Sequence, residues 1–381
     1  MRVETTEKVP IKLWLDDIED GAMQQARDLA NLPFVHKWVA IMPDSHQGYG
    51  MPIGGVLATK GVVIPNAVGV DIGCGMCALR TPVESIDTYA LKEIMSDIRK
   101  VVPVGFAHHK EPRTWTGFSA APNIPIIQNE LEAARYQLGT LGGGNHFIEI
   151  QHGSDGYVWL MLHSGSRNFG YKIAKTYHEK AIKLCDQWYS NVPNKDLSFL
   201  PADSAEGCEY VDAMRFALDF ARANRYEMMR QIAYVFEYRT GAKIDEEIIN
   251  IHHNYVAIEH HYGENVWVHR KGATLAREGT TGIVPGSQGT KSYIVKGLGN
   301  PESFMSCSHG AGRRMGRKEA RRTLTVEGET QKLAGVIHSI RSEKDLDEAP
   351  GAYKDISEVM ANQRDLVDIE IELTPLAVIK G

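Results

Sequence analysis

The sequence predicts an α+β fold in which layered, mixed β-sheets are flanked by helices, within a single compact domain covering residues 1–381. Short apolar runs separated by glycine-rich turns predict strands, and longer segments with apolar residues at helical spacing predict helices. The two kinds of segment do not alternate regularly, as they would in a doubly wound sheet. No internal repeat, low-complexity segment or linker marks a boundary between domains, so one domain is the simplest interpretation.

Each predicted element follows from its local pattern. Residues 35–80 alternate runs such as "GGVLATKGVVIP" with glycine-rich turns, which predicts β structure with functional loops. Helical periodicity is present in residues 86–101, 127–139 and 205–239. Strands are predicted for "HFIEIQ", "YVWLMLHSG", "TTGIVPGSQGTKSYIVKGLG" and the C-terminal "LAVIKG".

Composition narrows the class of protein. Hydrophobic residues make up 43% of the chain and charged residues 24%, which is typical of a soluble globular protein. The formal net charge of −6 argues against a protein that coats nucleic acid non-specifically. No apolar run is long enough to span a membrane, and the polar N-terminus does not resemble a secretory signal. The five scattered cysteines do not indicate a disulfide framework, so a cytoplasmic location is expected.

Candidate metal ligands stand beside glycine or asparagine at several separate places. The stretch "VGVDIGCGM" holds Asp71 and Cys74 in a flexible turn, although by itself this pattern is more typical of a turn that buries a structural cysteine. Histidines follow in "LGGGNHFIEI", "LHSGSRNFG" and "NIHHNYVAIEHHY", where His260 and His261 lie about two helical turns after His252 and His253. A carboxylate, a thiol and several imidazoles together indicate a transition-metal site, and ligand softness alone favours zinc.

The stretch "SHGAGRRMGRKEARR" places His309 before a run of arginines and lysines. Gly310, Ala311 and Gly312 leave the ring open to a bulky group, and Ser308 is predicted to be the N-cap of a basic helix that would attract phosphate. A neutral imidazole is a capable nucleophile towards phosphorus once metal ions neutralise the phosphate oxygens. The local chemistry therefore indicates a covalent histidine–phosphoryl or histidine–nucleotidyl intermediate, while a solvated charged helix is the alternative.

A second loop, "VPGSQGTKSY", offers amides and hydroxyls that are suited to a nucleotide phosphate or base edge. The loop matches neither the P-loop nor the dinucleotide-binding fingerprint. A plain turn explains it equally well.

Taken together, these segments closely resemble the RtcB family of RNA ligases. The matching stretches also include "MPDSHQGYGMPIGGVLAT", "HHNYV", "HRKGAT" and "VIKG", and they run in the family's order from about residue 42 to the last residue. Residues 81–140 and 151–157 carry little that resembles the family, and Arg270 falls in a segment that the sequence assigns to an undefined loop. The resemblance implies an RtcB-like fold and an enzyme that requires GTP and two Mn²⁺ ions.

The resemblance also implies roles for individual residues. His309 would accept GMP and Asp44 would be the acidic catalytic residue near the RNA end, while Arg167 and Arg313 would grip phosphates. The metal ligands would be Asp71, Cys74, His146, His163 and His253, with Cys74 bridging the two ions. The guanosine nucleotide would be bound by Asn145, His146, Phe147, Glu149, His253, Asn254, Pro285, Gly286, Ser287, Gln288, Ser292, His309, Gly310, Ala311, Gly312, Tyr353 and Lys380.

The implied reaction joins an RNA 3′-phosphate or 2′,3′-cyclic phosphate end to a 5′-hydroxyl end, in RNA splicing or repair, with an accessory activating protein as a further expected partner and no membrane involved. One alternative is a metal-dependent phosphodiesterase that opens cyclic phosphates without ligation and needs the metal cluster but neither Lys380 nor the loop at residues 284–293. Another is a non-catalytic RNA-binding protein that uses the basic residues 313–322.

Overall fold

The computed structural model describes all of residues 1–381 and contains two main β-sheets with helices packed against them. The strands are β1 (Arg2–Glu4), β2 (Ile11–Leu13), β3 (Val35–Tyr49), β4 (Met51–Thr59), β5 (Val62–Val63), β6 (Gly75–Arg80), β7 (Phe147–Gly153), β8 (Val158–Ser164), β9 (Leu200–Pro201), β10 (Ile249–His252), β11 (Asn254–His261), β12 (Glu264–Lys271), β13 (Ala273–Leu275), β14 (Thr281–Val284), β15 (Ser292–Gly297), β16 (Ser306–Ser308) and β17 (Val367–Lys380). The α-helices are α1 (Asp20–Ala30), α2 (Pro65–Val68), α3 (Thr88–Val101), α4 (Pro125–Gln137), α5 (Arg167–Gln187), α6 (Ala205–Thr240), α7 (Arg317–Thr323), α8 (Val326–Lys332) and α9 (Ile356–Asn362).

The first sheet has six strands in the order β1-β2-β3-β4-β12-β11. Only β2 and β3 pair in parallel; every other neighbouring pair is antiparallel. This mixture of parallel and antiparallel pairing, with helices on the outside, confirms the predicted α+β class of layered, mixed sheets. The assignment of residues 1–381 to one domain stays a prediction.

The second sheet has seven antiparallel strands in the order β10-β6-β8-β7-β17-β15-β14. Its register fixes where the candidate ligands meet. Gly75 pairs with Ser164 and His252, Phe147 pairs with His163, and Lys380 pairs with Phe147. The beginnings of β6 and β7 and the ends of β8, β10 and β17 therefore lie at one edge of the sheet, and the segments that carry the candidate ligands meet there.

The 36-residue helix α6 packs against the second sheet and contacts the loops at that edge. The hydroxyl of Ser204 caps its N-terminus by accepting a hydrogen bond from the amide of Gly207, and Gly241 ends it in the left-handed conformation. Two polar side chains in its middle are fully buried. Asn224 accepts hydrogen bonds from the amides of Gly139 and Thr140, and Arg225 donates to the carbonyl oxygens of Gly73 and Ser164. The helix thereby holds the loops that carry the candidate ligands.

Most predicted elements are confirmed, and three local interpretations are wrong. Ser308 ends strand β16 by pairing with Ala273, and the basic helix begins only at Arg317 with Gly316 as its N-cap, so Ser308 caps no helix. His252 ends β10 in the second sheet and His260 lies in β11 of the first sheet, so the two are not on one helix. Arg270 is not in a loop; it is fully buried in β12, where its guanidinium donates two hydrogen bonds to the carboxylate of Glu259.

Nowhere in the structure does a helix combine the length and the apolar character that crossing a membrane requires.

Candidate active site

Five side chains from four separate segments converge beside the shared edge of the second sheet. The Cys74 Sγ lies 3.5 Å from the His146 Nε2 and 3.2 Å from the His163 Nε2. The His163 Nε2 lies 3.3 Å from the His253 Nε2, and the His146 Nε2 lies 3.1 Å from the Asp71 Oδ2. The ligand atoms form two triads, Cys74 with His163 and His253, and Cys74 with Asp71 and His146. Cys74 is the member that both triads share.

Backbone contacts orient two of these rings. The Nδ1 of His146 lies 2.9 Å from the carbonyl oxygen of Leu141, and the Nδ1 of His163 lies 3.2 Å from that of Asn145. A carbonyl oxygen only accepts, so each Nδ1 carries the proton and each Nε2 presents a lone pair to the cluster. Asp71 closes on the cluster because Gly165 has no side chain; a Cβ there would lie 2.3 Å from the Asp71 Oδ1.

This set of donors fits a divalent transition-metal ion. Burial lowers the pKa of His163 and of His253 well below the usual range, so both imidazoles are neutral, as metal ligands must be. Without a cation, several lone pairs would face one another in a buried space, an arrangement that a metal ion resolves. Burial also raises the pKa of the Cys74 thiol, an effect that a bound cation reverses. A hard carboxylate and imidazoles beside one thiolate suit manganese as well as zinc.

His309 lies next to this cluster and is held by one carboxylate. Its ring centroid is 4.7 Å from that of His253. The Asp44 Oδ2 lies 2.6 Å from the His309 Nδ1 and accepts a second hydrogen bond, of 3.0 Å, from the His309 amide. Asp44 is fully buried, so this contact is shielded from water. The pairing places a proton on Nδ1 and leaves Nε2 as the nitrogen with a free lone pair.

At one backbone position beside the His309 ring there is no room for a side chain. Gly272 has a φ of +61°, and a Cβ at that position would lie 2.4 Å from the Ile53 Cγ2 and 3.0 Å from the His309 Cε1. Only glycine fits there. The Asn254 side chain links this glycine to the metal-ligand segment. It accepts a hydrogen bond from the Gly272 amide and donates one to the carbonyl oxygen of Asp71.

His309 opens into a cavity of about 1020 Å³, which we call the larger cavity. Most residues that the family resemblance implies for nucleotide binding line its wall: Asn145, Phe147, Glu149, His253, Asn254, Pro285, Gly286, Ser287, Gln288, Gly310, Ala311, Gly312, Tyr353 and Lys380. His146 and Ser292 do not. Ser292 lies behind the wall, where its hydroxyl accepts hydrogen bonds from the Gly286 amide and the Gln151 side chain. Asp44 is also absent from the wall, because it lies behind His309.

One end of the larger cavity combines an aromatic face with a buried carboxyl group. The Lys380 Nζ lies 5.6 Å from the centroid of the Phe147 ring. Burial raises the pKa of Glu149 to about 8, although the charge of Lys380 and a hydrogen bond from Gln151 oppose the rise. An aromatic face beside a hydrogen-bonding carboxyl group is suited to a nucleobase.

Glu348 organises the cationic side of the cavity, and sequence reasoning missed it. Its carboxylate lies 3.0 Å from the Arg313 Nη1 and 3.0 Å from the Arg317 Nε, and it accepts a hydrogen bond from the Tyr353 hydroxyl. Burial opposes ionisation of Glu348, but the charges of Lys380 and Arg313 outweigh it and lower its pKa. The Arg313 guanidinium therefore forms an ion pair with this carboxylate. Nothing in the sequence next to "APGAYK" indicates that the preceding glutamate binds two arginines and a tyrosine.

A second cavity of about 880 Å³, the smaller cavity, adjoins the same cluster. Asp71, Asn145, Gln288, Arg317, Glu348 and Lys380 line both cavities, whereas His146 and Arg167 line only the smaller one. Arg167 is largely buried and donates from Nε to the Thr140 hydroxyl. The candidate metal cluster thus lies between two solvent-accessible spaces.

Three further histidines of the sequence motifs, His252, His261 and His269, serve the fold. His252 contacts the Arg225 guanidinium, and His261 contacts the Glu259 carboxylate. The His269 Nε2 accepts a hydrogen bond from the Ile64 amide. None of the three belongs to either metal-ligand triad.

The chain is similar to known proteins over almost its whole length. The family model described as tRNA-splicing ligase RtcB matches residues 25–124 and 116–381. The chain is 41% identical over 404 residues to the RNA-splicing ligase RtcB of Escherichia coli, covering 99% of this chain and 98% of that protein. It is 31% identical to the tRNA-splicing ligase RtcB of Pyrobaculum aerophilum, covering 100% of this chain and 96% of that protein, and 32% identical to the RNA-splicing ligase RtcB of Mycobacterium bovis, covering 94% and 100%. The chain therefore belongs to the RtcB family of RNA ligases.

Proposed function

We propose that this RNA ligase joins RNA 3′-phosphate or 2′,3′-cyclic phosphate ends to 5′-hydroxyl ends, using GTP and two Mn²⁺ ions, through a GMP adduct on His309. The observation that carries the proposal is the position of the His309 ring, which lies 4.7 Å from the ring of His253 and is fixed through Nδ1 by Asp44. An oriented nucleophile beside a metal-ligand cluster is the arrangement that nucleotidyl transfer requires.

His309 would perform the first step with its Nε2 lone pair. The nitrogen attacks the α-phosphorus of GTP, a nitrogen–phosphorus bond forms, the bond to the β-phosphate oxygen breaks and pyrophosphate leaves. Nδ1 keeps its proton throughout, and Asp44 stabilises the positive charge that develops on the ring. A cyclic phosphate end is first opened by water, which breaks the bond from phosphorus to the 2′ oxygen and leaves a 3′-phosphate. The adduct then passes GMP to the RNA 3′-phosphate and frees His309. In the last step the 5′-hydroxyl displaces GMP from that phosphate and loses its proton.

Asp71, Cys74, His146, His163 and His253 are the residues that would hold the two ions, with Cys74 in both coordination sets. When bound, Mn²⁺ would neutralise phosphate oxygens and polarise the phosphorus centres. The protein contributes the fixed orientation of His146 and His163 through their carbonyl contacts.

The larger cavity is the proposed site for the guanosine. Phe147 offers a face for the base, and the Glu149 carboxylate can accept hydrogen bonds from the N–H groups of guanine. Lys380, Tyr353 and the loop from Pro285 to Gln288 complete the wall.

The proposal is tested by incubating the chain with labelled GTP and Mn²⁺ and measuring its intact mass. We expect one added GMP that is stable to alkali and lost in acid, as a phosphoramidate is. Addition of RNA with cyclic phosphate and 5′-hydroxyl ends should then give sealed RNA only when GTP is present. If the cyclic phosphate is opened while the protein gains no GMP and no RNA is joined, the result would favour the phosphodiesterase alternative and contradict the ligase.

Replacement of Asp44 by Asn should slow guanylylation of His309 by roughly a thousandfold, because an amide facing Nδ1 favours the tautomer that lacks a lone pair on Nε2. The rate is measured as GMP incorporation in single turnovers. Metal content serves as the control, since Asp44 is outside both triads and bound Mn²⁺ should be unchanged. A normal rate of labelling in the Asp44→Asn variant would show that the carboxylate does not set the tautomer.

Guanylylation should also depend on pH through Glu149. Its carboxyl group is protonated below a pKa of about 8 and then accepts fewer hydrogen bonds from guanine. The apparent KM for GTP should therefore fall as the pH rises through about 8, and the Glu149→Gln variant should show a higher KM that changes little over this range. The same pH dependence in wild type and variant would assign it to another group.

A further inference from the structure

One phenylalanine is exposed at the rim of the smaller cavity. Phe106 is fully exposed, whereas the other nine of the ten phenylalanines are buried or half-buried. Phe106 lines the same cavity as Asp71, His146 and Arg167. An exposed ring on the wall of a cavity is free to pack against a ligand that enters it.

The loop that carries Phe106 is fixed to the ligand-bearing segment. The Gly105 amide donates to the Gly142 carbonyl oxygen at 2.9 Å, and the Leu141 amide donates to the Pro103 carbonyl oxygen at 2.9 Å. Farther along the loop, the His109 amide donates to the Tyr136 carbonyl oxygen at 3.0 Å. The Leu141 carbonyl oxygen is the acceptor that orients His146. Phe106 is thus held in a defined place relative to the metal-ligand cluster, and little backbone freedom is lost when a ligand packs on its ring.

The cavity beneath Phe106 is lined by charges that suit a nucleic acid backbone. Its cations are Arg167, Arg317, Arg321, Lys344 and Lys380, and its side-chain carboxylates are Asp71, Asp345, Asp347 and Glu348. Asp71 belongs to the candidate metal cluster, and Asp347 and Glu348 pair with Arg321, Arg317 and Lys380, which leaves Arg167 and Lys344 as the cations without an ion pair. An aromatic platform beside cationic side chains is the combination that proteins use to bind single-stranded nucleic acid.

We propose that Phe106 is a stacking platform for a nucleobase of an RNA strand whose end reaches the metal-ligand cluster through the smaller cavity. This inference rests on the proposed RNA-joining function and adds a residue that selects single-stranded ends. The larger cavity is assigned to the guanosine, so the smaller cavity, which also adjoins the cluster, is the space that remains for an RNA strand. A base inside a duplex has no free face, so the ring favours ends that are unpaired near the joint.

Three variants test the proposal. In Phe106→Ala the affinity for a short single-stranded RNA with a 3′-phosphate and a 5′-hydroxyl end, measured by fluorescence anisotropy with Mn²⁺ present and GTP absent, should fall roughly fivefold to a hundredfold through loss of one stacked base. The KM for RNA in sealing should rise by a similar factor. The rate of guanylylation without RNA should stay within about twofold of wild type, and the salt dependence of binding should be unchanged because no phosphate contact is lost. Phe106→Trp should restore affinity. Tyr189→Ala is the matched control, since Tyr189 is nearly as exposed but lines neither cavity.

Wild-type affinity in Phe106→Ala, or a loss that Phe106→Trp does not repair, would overturn the proposal. Weaker RNA binding by Phe106→Ala in a protein that never acquires GMP would support the stacking role and contradict the proposed ligase function. The binding measurement therefore separates failure of the two ideas.

Discussion

Replacement of His309 by Ala should abolish the GMP adduct and reduce RNA sealing to background, a loss of at least about a thousandfold in rate. The imidazole is the group that would form the bond to phosphorus, and the two histidines of the adjacent cluster, His163 and His253, cannot take its place. His253 and His163 point their Nε2 atoms at each other and at Cys74. The adduct is measured by intact mass after incubation with GTP and Mn²⁺.

The His309→Ala variant should still bind Mn²⁺, because His309 belongs to neither metal-ligand triad. His260→Ala is the matched control, since His260 is exposed and contacts only Asn265 among side chains. This control should retain labelling and sealing. Equal labelling of the His309→Ala variant and the wild type would disprove the covalent role of this ring.

Replacement of Cys74 by Ala should remove bound metal as well as activity. Cys74 is the one residue present in both triads, so its loss weakens both ion sites at once. The affinity for Mn²⁺ should fall at least a hundredfold, since even partners that merely orient a ligand are worth roughly tenfold to a hundredfold. Bound metal is measured by elemental analysis after dialysis against Mn²⁺, and guanylylation is measured on the same samples.

Cys77→Ala provides the control for Cys74. Cys77 lies three residues later, is fully buried and packs in the hydrophobic core behind the second sheet. Its replacement removes the same sulfur-bearing group and should cost some stability while leaving metal content intact. Full occupancy in the Cys74→Ala variant, or equal loss of metal in both variants, would exclude the thiolate as a shared ligand.

Much of the fold and the ligand set was predictable because the relevant signals are local. The glycine-rich turns beside Asp71, His146 and His163 show where the backbone must bend or approach closely, and periodicity defines the long helix α6. The order of the motifs resembles that of one family, and this resemblance supplied the residue roles that spacing alone does not give. Ligand softness alone favours zinc, but the same donors also suit manganese. The types of donor atom therefore do not determine the metal by themselves.

The rest depends on contacts between residues far apart in the chain. Asp44 and His309 are 265 positions apart, and nothing in "MPDSHQG" indicates that this carboxylate binds the imidazole. Glu348 pairs with Arg313, Arg317 and Lys380 only because folding brings these three side chains to it. The expected N-cap at Ser308 is wrong because pairing of β16 with β13 competes with helix formation, and sequence propensity does not include that pairing.

Strand β17 is inserted between β7 and β15 and is among the last elements in chain order, which has a consequence for synthesis of the protein. A nascent chain that has not yet emerged beyond residue 367 has two separate half-sheets with open edges, which are prone to pair with other chains. It also lacks Lys380 opposite Phe147. A chain without this strand therefore lacks part of the proposed nucleotide pocket, and we expect it to bind GTP only after β17 has closed the sheet.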